Sequence, residues 1–399
     1  MIHLKNENKE TSQRITIGGT KVARQTYGFD EISLVPGRIT LDLDLCDTSF
    51  ILGKHKFDFP IIASAMDSVV SPQSAVEINK LGGLSVLNLQ GIYTRYEEYE
   101  SILKKISDSD NDSFVQLMQE LYRKSINEEL IRKRINEIKQ NGSVCAVSCT
   151  PNLANQYGSI AEEAGADIFV VQSTVVSVEH KSNDKSACFN LKDFIQNMKI
   201  PVVVGNCVTY GVALEHMKAG ASGVLVGIGP GAACTSRGVL GIGVPMATSI
   251  ADCAQARDEY FSKTGRYVHI IADGGMSTGG DICKAMACGA DAVMIGSPFA
   301  KAKEAPGNGF HWGMATPSPV LPRGTRIKVG SIGTLKEILL GPAKLDDGTQ
   351  NFVGALKTSM STLGAQNIKE MQQVEVVIAP SILTEGKMFQ KAQKLGMGK

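Results

Sequence analysis

Ala164-Gly165-Ala166-Asp167-Ile168-Phe169-Val170-Val171-Gln172 joins a small-residue helix stop directly to a run of β-branched and aromatic residues. A glycine at the C-terminal cap takes the left-handed conformation that ends a helix, and a short, nearly continuous apolar run is what a strand buried on both faces looks like. The phrase returns as Ala219-Gly220-Ala221-Ser222 before the run Gly223 to Gly227, and as Cys288-Gly289-Ala290-Asp291 before Ala292 to Gly296. Helix, cap and strand in recurrence specify a parallel sheet.

Outward from these three, similar runs lie at Pro60 to Ser64, Leu84 to Leu87, Val144 to Ser148, Pro201 to Gly205 and Val268 to Asp273. That makes eight, the number that closes an α/β barrel of the TIM type, (β/α)8. An open doubly wound sheet would carry a dinucleotide fingerprint after its first strand, where this chain has Met66-Asp67-Ser68-Val69-Val70-Ser71. We therefore expect one catalytic domain over 1–399. Its appendages are an N-terminal extension (1–59) with a hairpin around Gly18-Gly19, a helical insertion after strand two (92–142), a flap region rich in Pro and Gly (304–353), and a C-terminal segment (375–399). The insertion, with its Lys, Glu and Asn and apolar positions at helical spacing, reads as a solvated helix pair. Trp312, the single tryptophan, predicts some order in the flap.

Composition narrows the function classes. Forty-one basic against 40 acidic residues leave a net charge of +1, which excludes a broad electrostatic footprint for nucleic acid or an anionic membrane. Forty-one glycines in 399 residues exceed the usual level of about 7% and predict tight turns or close backbone approaches to a ligand. Nine scattered cysteines include no Cys-x-x-Cys pair, so neither a zinc site nor a disulfide framework is indicated. The polar N-terminus and the lack of a long apolar run point to a cytoplasmic protein.

Barrel sites lie at the C-terminal ends of the strands. After strand six comes Gly227-Ile228-Gly229-Pro230-Gly231-Ala232-Ala233-Cys234-Thr235-Ser236-Arg237. Its glycines let backbone groups converge on a ligand, and Arg237 would favour thiolate at Cys234, a candidate nucleophile. A lone cysteine in such a chain is more often a small buried hydrophobe. Loops after strands seven and eight, with Asp273-Gly274-Gly275 and Gly296-Ser297, match the commonest phosphate cradle of this architecture. Asp273 either accepts a ribose hydroxyl pair or caps the next helix. These residues alone specify a phosphorylated metabolite and a possible thiol nucleophile, with the reaction left open.

An ordered set of segments resembles the IMP dehydrogenase and GMP reductase family: Tyr27 to Pro36 (YGFDEISLVP), Ala63 to Ser68 (ASAMDS), Gly205 to Thr209 (GNCVT), the 227–237 loop, Ile271 to Gly275 (IADGG), Met294 to Ser297 (MIGS), Glu304 to Gly307 (EAPG) and Trp312 to Ala315 (WGMA). The chain most resembles the IMP dehydrogenase-related subgroup without CBS modules. That resemblance implies an NAD-dependent oxidoreductase in GMP biosynthesis, converting IMP to XMP through a covalent adduct on Cys234, with Ser236 at the position of a catalytic threonine. It implies a nucleotide site made of Ser64, Met66, Asn206, Gly231, Ala232, Asp273, Gly274, Gly275, Gly296, Ser297, His311, Gly313, Met314 and Ala315. It also implies a cofactor site at Gln172, Ser173, Thr174, Gly227 and Gly229, and a potassium ion on the carbonyls of Gly229, Gly231 and Cys234. A homotetramer or octamer is the implied assembly.

Several positions depart from the family pattern. Ala232 replaces a serine, Leu225 an arginine, Gln172-Ser173-Thr174 an Asp-Ser-Ser, and His311 a tyrosine, while Ser331 stands where a flap Gln or Glu reads the base. The flap pair Arg-Tyr that activates water is incomplete, since no tyrosine follows Tyr267. Arg323 and Arg326 are the remaining catalytic candidates. GMP reduction with NADPH is the alternative reaction, and an inactive purine-nucleotide sensor the alternative of another class.

Overall fold

The computed structural model describes residues 14–181, 183, 189–314, 317–382 and 384–398. Eight parallel strands close into a barrel: β1 (Ile61–Ala63), β2 (Leu84–Asn88), β3 (Ala146–Cys149), β4 (Ile168–Gln172), β5 (Val202–Cys207), β6 (Gly223–Val226), β7 (His269–Asp273) and β8 (Ala292–Ile295), with β8 pairing back onto β1. Each overlaps the apolar run read from the sequence. Along β5, Val203 packs inside the barrel while Val202 and Val204 face the helices. Both faces are buried, so nearly every position must be apolar. The interior column of Ile62, Val86, Val170, Val203, Leu225, Ile271 and Met294 is continued by Phe50, Leu52 and Phe57. These come from the hairpin Phe50–Leu52 with His55–Phe57, which plugs the N-terminal mouth; the Phe50 ring meets His269, at the start of β7, edge-on at 5.1 Å.

The surrounding helices are α1 (Pro72–Lys80), α2 (Glu128–Lys139), α3 (Pro151–Glu163), α4 (Leu191–Asn197), α5 (Tyr210–Ala219), α6 (Met246–Thr264), α7 (Gly279–Ala287) and α8 (Phe352–Leu363). The repeated phrase does what its glycine requires: Gly165, Gly220 and Gly289 sit at φ of 93°, 110° and 111°. Starts are equally explicit. Ser71 caps α1 ahead of Pro72, and Thr278 caps α7 in a reciprocal box with Asp281, each cap contributing about 1 kcal/mol.

The N-terminal hairpin forms as expected, Arg14–Ile17 against Lys21–Arg24. Two appendages differ from expectation. The segment 92–142 is not a solvated helix pair, because its last helix is α2 of the barrel itself. The additional helices, Tyr99–Asp108 and Phe114–Leu121, bury Tyr99, Leu103, Ile106, Phe114, Met118 and Leu121. Apart from the buried Ser107, their polar residues lie toward the outer face. Nor is 304–353 a loop throughout: it contains the strand pair Phe310–His311 with Ile327–Lys328, the helix Leu335–Leu339 and the start of α8, with Trp312 1% exposed. In the C-terminal segment, Val376–Ile378 pairs with Ile32–Leu34, while the helix Met388–Gln393 buries no residue. No described helix is long and apolar enough to cross a membrane.

Candidate active site

At the C-terminal ends of the strands lies a cavity of about 700 Å³, within the range of small-molecule sites. The glycine-dense loop after β6 forms one wall. Arg323 and Gly324 of the flap lie across it: Cys234 and Gly324 form an antiparallel bridge, Thr235 N–H donates to Arg323 C=O at 3.0 Å, and Thr325 N–H donates to Ala233 C=O at 3.0 Å. Cys234, partly exposed to the cavity, donates its thiol to Ser236 Oγ at 3.3 Å. Ser236 itself is buried behind the wall. Arg237 does not face the thiol; its Nε and Nη2 donate to the carbonyls of Ile228 and Val244 at 3.0 and 3.1 Å, clamping the loop from outside.

Asp273 closes the floor. A one-residue register skip in β5 at Asn206 turns that side chain toward β7, as a bulge does. Asn206 Nδ2 and Gln172 Nε2 donate to the same oxygen, Asp273 Oδ2, at 2.7 and 3.0 Å. Burial pushes the carboxyl up to about 6, with the two amides pulling the other way. Gln172 Oε1 is buried and has no hydrogen-bond partner among the described residues. Beyond Asp273, the wall continues through Gly274, Gly275, Gly296 and Ser297. A Cβ on Gly275 would lie 2.9 Å from Pro230 Cβ, and one on Gly296 2.9 Å from Met66 Sδ, so side-chain-free backbone is required at both. His311 stands beside Gly296 with Nδ1 3.1 Å from Ser68 Oγ. Burial holds its pKa down at about 4, so near neutral pH it offers a neutral imidazole.

Every predicted site residue but three lines this cavity: Ser64, Met66, Gln172, Ser173, Thr174, Asn206, Gly227, Gly229, Gly231, Ala232, Cys234, Asp273, Gly274, Gly275, Gly296, Ser297, His311, Gly313, Met314 and Arg323. Ser236 reaches it through Cys234, and Ala315 lies outside the described residues. Arg326 is the correction. Its guanidinium is buried against the insertion, Nη1 donating to Ile106 C=O at 2.6 Å and Nη2 to Ser109 C=O at 2.6 Å, between the rings of Phe310 and Phe114. It holds the flap down and has no access to the cavity. Arg323 remains on the wall with Nη1 on Thr174 Oγ1 at 2.9 Å, and Ser331 is exposed.

The sequence reading missed Asn88, Gln90, Thr150, Arg95 and Tyr122, all on the cavity wall. Asn88 ends β2, and Gln90 and Thr150 follow β2 and β3, where barrel geometry alone could have found them. Arg95 and Tyr122 come from the insertion, and no local pattern marks them. Among the described residues no cluster of His, Cys, Asp and Glu could hold a metal ion through side chains.

Comparison with known proteins identifies the family. The profile of the IMP dehydrogenase / GMP reductase domain matches residues 26–315. The chain belongs to the IMP dehydrogenase/GMP reductase family. It is an oxidoreductase of that family by descent: an uncharacterized oxidoreductase of Mycobacterium tuberculosis is 39% identical over 373 residues, 91% of this chain and 99% of the relative. The inosine-5'-monophosphate dehydrogenase of Methanocaldococcus jannaschii is 26% identical over 471 residues, covering 90% and 94%. The crystal structure of an IMP dehydrogenase/GMP reductase-like protein from Corynebacterium glutamicum superposes with a TM-score of 0.86 at 37% identity, over 92% of this chain and 97% of that one.

Proposed function

We propose that this protein oxidises IMP to XMP with NAD, through a covalent adduct on Cys234. The observation that carries the reading is the meeting, in one cavity, of a thiol on a glycine loop with a carboxylate on the floor whose Oδ2 is already held by two amides. Asp273 Oδ1 takes no hydrogen bond from the described residues, which suits ribose hydroxyls. The glycine turns at Gly275 and Gly296 with Ser297 and a neutral His311 N–H suit a phosphate. Cys234 Sγ would then attack C2 of the purine, and Ser236 would hold the thiol in place beforehand.

The residues present also fit the two groups the family implies. The buried, unpartnered Gln172 Oε1 on the cavity wall is an acceptor awaiting an N–H or O–H, and Ser173, Thr174, Gly227 and Gly229 flank it. When bound there, NAD supplies the hydride acceptor. For potassium, the carbonyls of Gly229 and Cys234 receive no described hydrogen bond, and that of Gly231 receives one, from Cys234 N–H at 3.0 Å. Carbonyl oxygens on one tight turn suit a hard cation.

Reduction of GMP with NADPH is the second reading, favoured by one observation, the absence of any tyrosine after Tyr267. Absorbance at 340 nm separates the two. With IMP, NAD and potassium the proposed activity gives a rise; a fall with GMP and NADPH and no rise in the first mixture would replace it by the reductase.

Asp273 adds a pH signature. Its carboxyl is raised to about 6, so the ionised form that accepts ribose hydroxyls is present above that value and is lost as pH falls through it. IMP affinity measured by titration calorimetry is expected to be flat from pH 7 to 8 and to weaken by up to about tenfold per pH unit below 6. Because the nucleotide phosphate titrates in the same window, the measure is the difference from Asp273→Asn, which keeps the phosphate's titration and loses the carboxyl's. Parallel curves for the two proteins would refute the assignment.

A further inference from the structure

The reading above employs Cys234, Asp273 and His311, and leaves one group of ionisable side chains at the cavity without work. Tyr122, the residue that ends the second inserted helix, lines the cavity. Its hydroxyl donates to Asp67 Oδ2. Asp67, in the loop after β1, is 2% exposed and receives Asn88 Nδ2 on Oδ1 at 3.2 Å and Ile92 N–H on Oδ2 at 2.7 Å. Arg95 also lines the cavity, with its guanidinium carbon 5.3 Å from the Tyr122 ring centroid. Carboxylate, phenol and guanidinium thus run from the core outward to the cavity.

Resolving an adduct on Cys234 demands a proton acceptor for water. Arg323 lies on the flap with Nη1 already donating to Thr174 Oγ1 at 2.9 Å. His311 is turned to Ser68, Asp273 is held by two amides on the floor, and Arg326 is sealed behind the flap. A phenol hydrogen-bonded to a buried carboxylate is a better acceptor than either group alone, since the phenol passes its proton inward as it takes one from the cavity, and no bare phenolate is required. Burial raises the Asp67 carboxyl, which favours its taking that proton, and the Arg95 charge over the ring stabilises negative charge developing on the phenol oxygen.

We propose that Tyr122, backed by Asp67 and flanked by Arg95, is the proton acceptor for the water that releases the product from Cys234; this rests on the dehydrogenase reading above. Once hydride has left C2, no further oxidant is needed. The water oxygen bonds to C2 as the C2=N π pair shifts to the ring nitrogen, and the water gives one proton to Tyr122 Oη as the Tyr122 proton moves to Asp67 Oδ2. The C2–Sγ bond then breaks, its electron pair returning to sulfur, and the remaining hydroxyl proton goes to the thiolate as C2=O forms. The inserted helices thereby complete the site.

The test is pre-steady-state absorbance at 340 nm with IMP and NAD, together with intact-mass detection of the nucleotide on Cys234. For Tyr122→Phe, which removes one oxygen, the expected result is a burst of wild-type amplitude followed by steady-state turnover at least about 100-fold slower, with the adduct accumulating. Asp67→Asn should behave likewise, and thermal melting checks that both are folded. Turnover of Tyr122→Phe near the wild-type rate, or burst and steady state falling together, overturns the proposal. Wild-type protein that gives neither burst nor adduct overturns the dehydrogenase reading itself, and this inference with it.

Discussion

Replacing Cys234 by alanine is expected to abolish turnover, a loss on the order of 10⁴-fold or more as for other covalent nucleophiles, while IMP still binds within a few-fold of the wild-type affinity. The two halves of this expectation come from different parts of the cavity. Among the described residues no second thiol is placed to substitute: of the eight described free cysteines, six are buried in the packing and Cys288 lies at the far end of the barrel before β8, leaving Cys234 as the one on the wall. Binding survives because the ribose and phosphate positions, Asp273, Gly275 and Gly296, do not involve the sulfur. The loop survives because its contacts are main-chain ones, Cys234 N–H to Gly231 C=O and the bridge to Gly324. Turnover by 340 nm absorbance and affinity by calorimetry check both halves. Residual turnover above about one per cent would assign the chemistry to another group, and loss of binding would show that the sulfur organises the pocket.

The legibility of the site follows the range of the interactions that build it. Strands, helix stops and the loops after β6, β7 and β8 are local features, written as runs of a few residues, and Cys234, Asp273 and Gly296 could be named from them. Asp273 was read as either ribose ligand or helix cap; the cap of α7 is Thr278, and Asp273 faces the cavity. What was not legible depends on contacts between distant segments. The polar look of 92–142 suggested a solvated face, yet Tyr122 reaches Asp67 across 55 positions and Gln119 Nε2 reaches Ser318 C=O across 199. Arg326 was named because the resemblance implies a flap arginine, and its true partners are 215 to 220 residues earlier in the chain. Periodicity identified the inserted helices; it could not indicate what their buried face would cover.

That contact supports the largest stability prediction. Arg326 Nη1 donates to Ile106 C=O, Ser107 C=O and Ser109 Oγ at 2.6, 3.2 and 2.8 Å, and Nη2 to Ser109 C=O and Asn111 Oδ1 at 2.6 and 3.0 Å. The planar fork stacks 4.5 Å from the Phe310 centroid and 5.0 Å from that of Phe114. Arg326→Ala removes these donors at once: Ile106 C=O keeps Ser109 Oγ at 2.8 Å, while the carbonyls of Ser107 and Ser109 lose the guanidinium that serves them. Each lost bond to a charged donor costs roughly 1.5–3 kcal/mol before water enters the space, so about 3–5 kcal/mol in all is expected. The effect should appear as a clearly lower Tm and as faster protease cleavage within 317–330. Arg326→Lys should recover less than half, because one ammonium cannot span donors that a guanidinium fork reaches in two directions. Activity should fall as well, since Arg326 lies two residues after Gly324, which with Arg323 bridges the Cys234 loop; kcat is expected to suffer more than IMP affinity. A Tm within about a degree of wild type would mean that the inserted helices and the flap hold together without this residue, through contacts such as Gln119 Nε2 to Ser318 C=O.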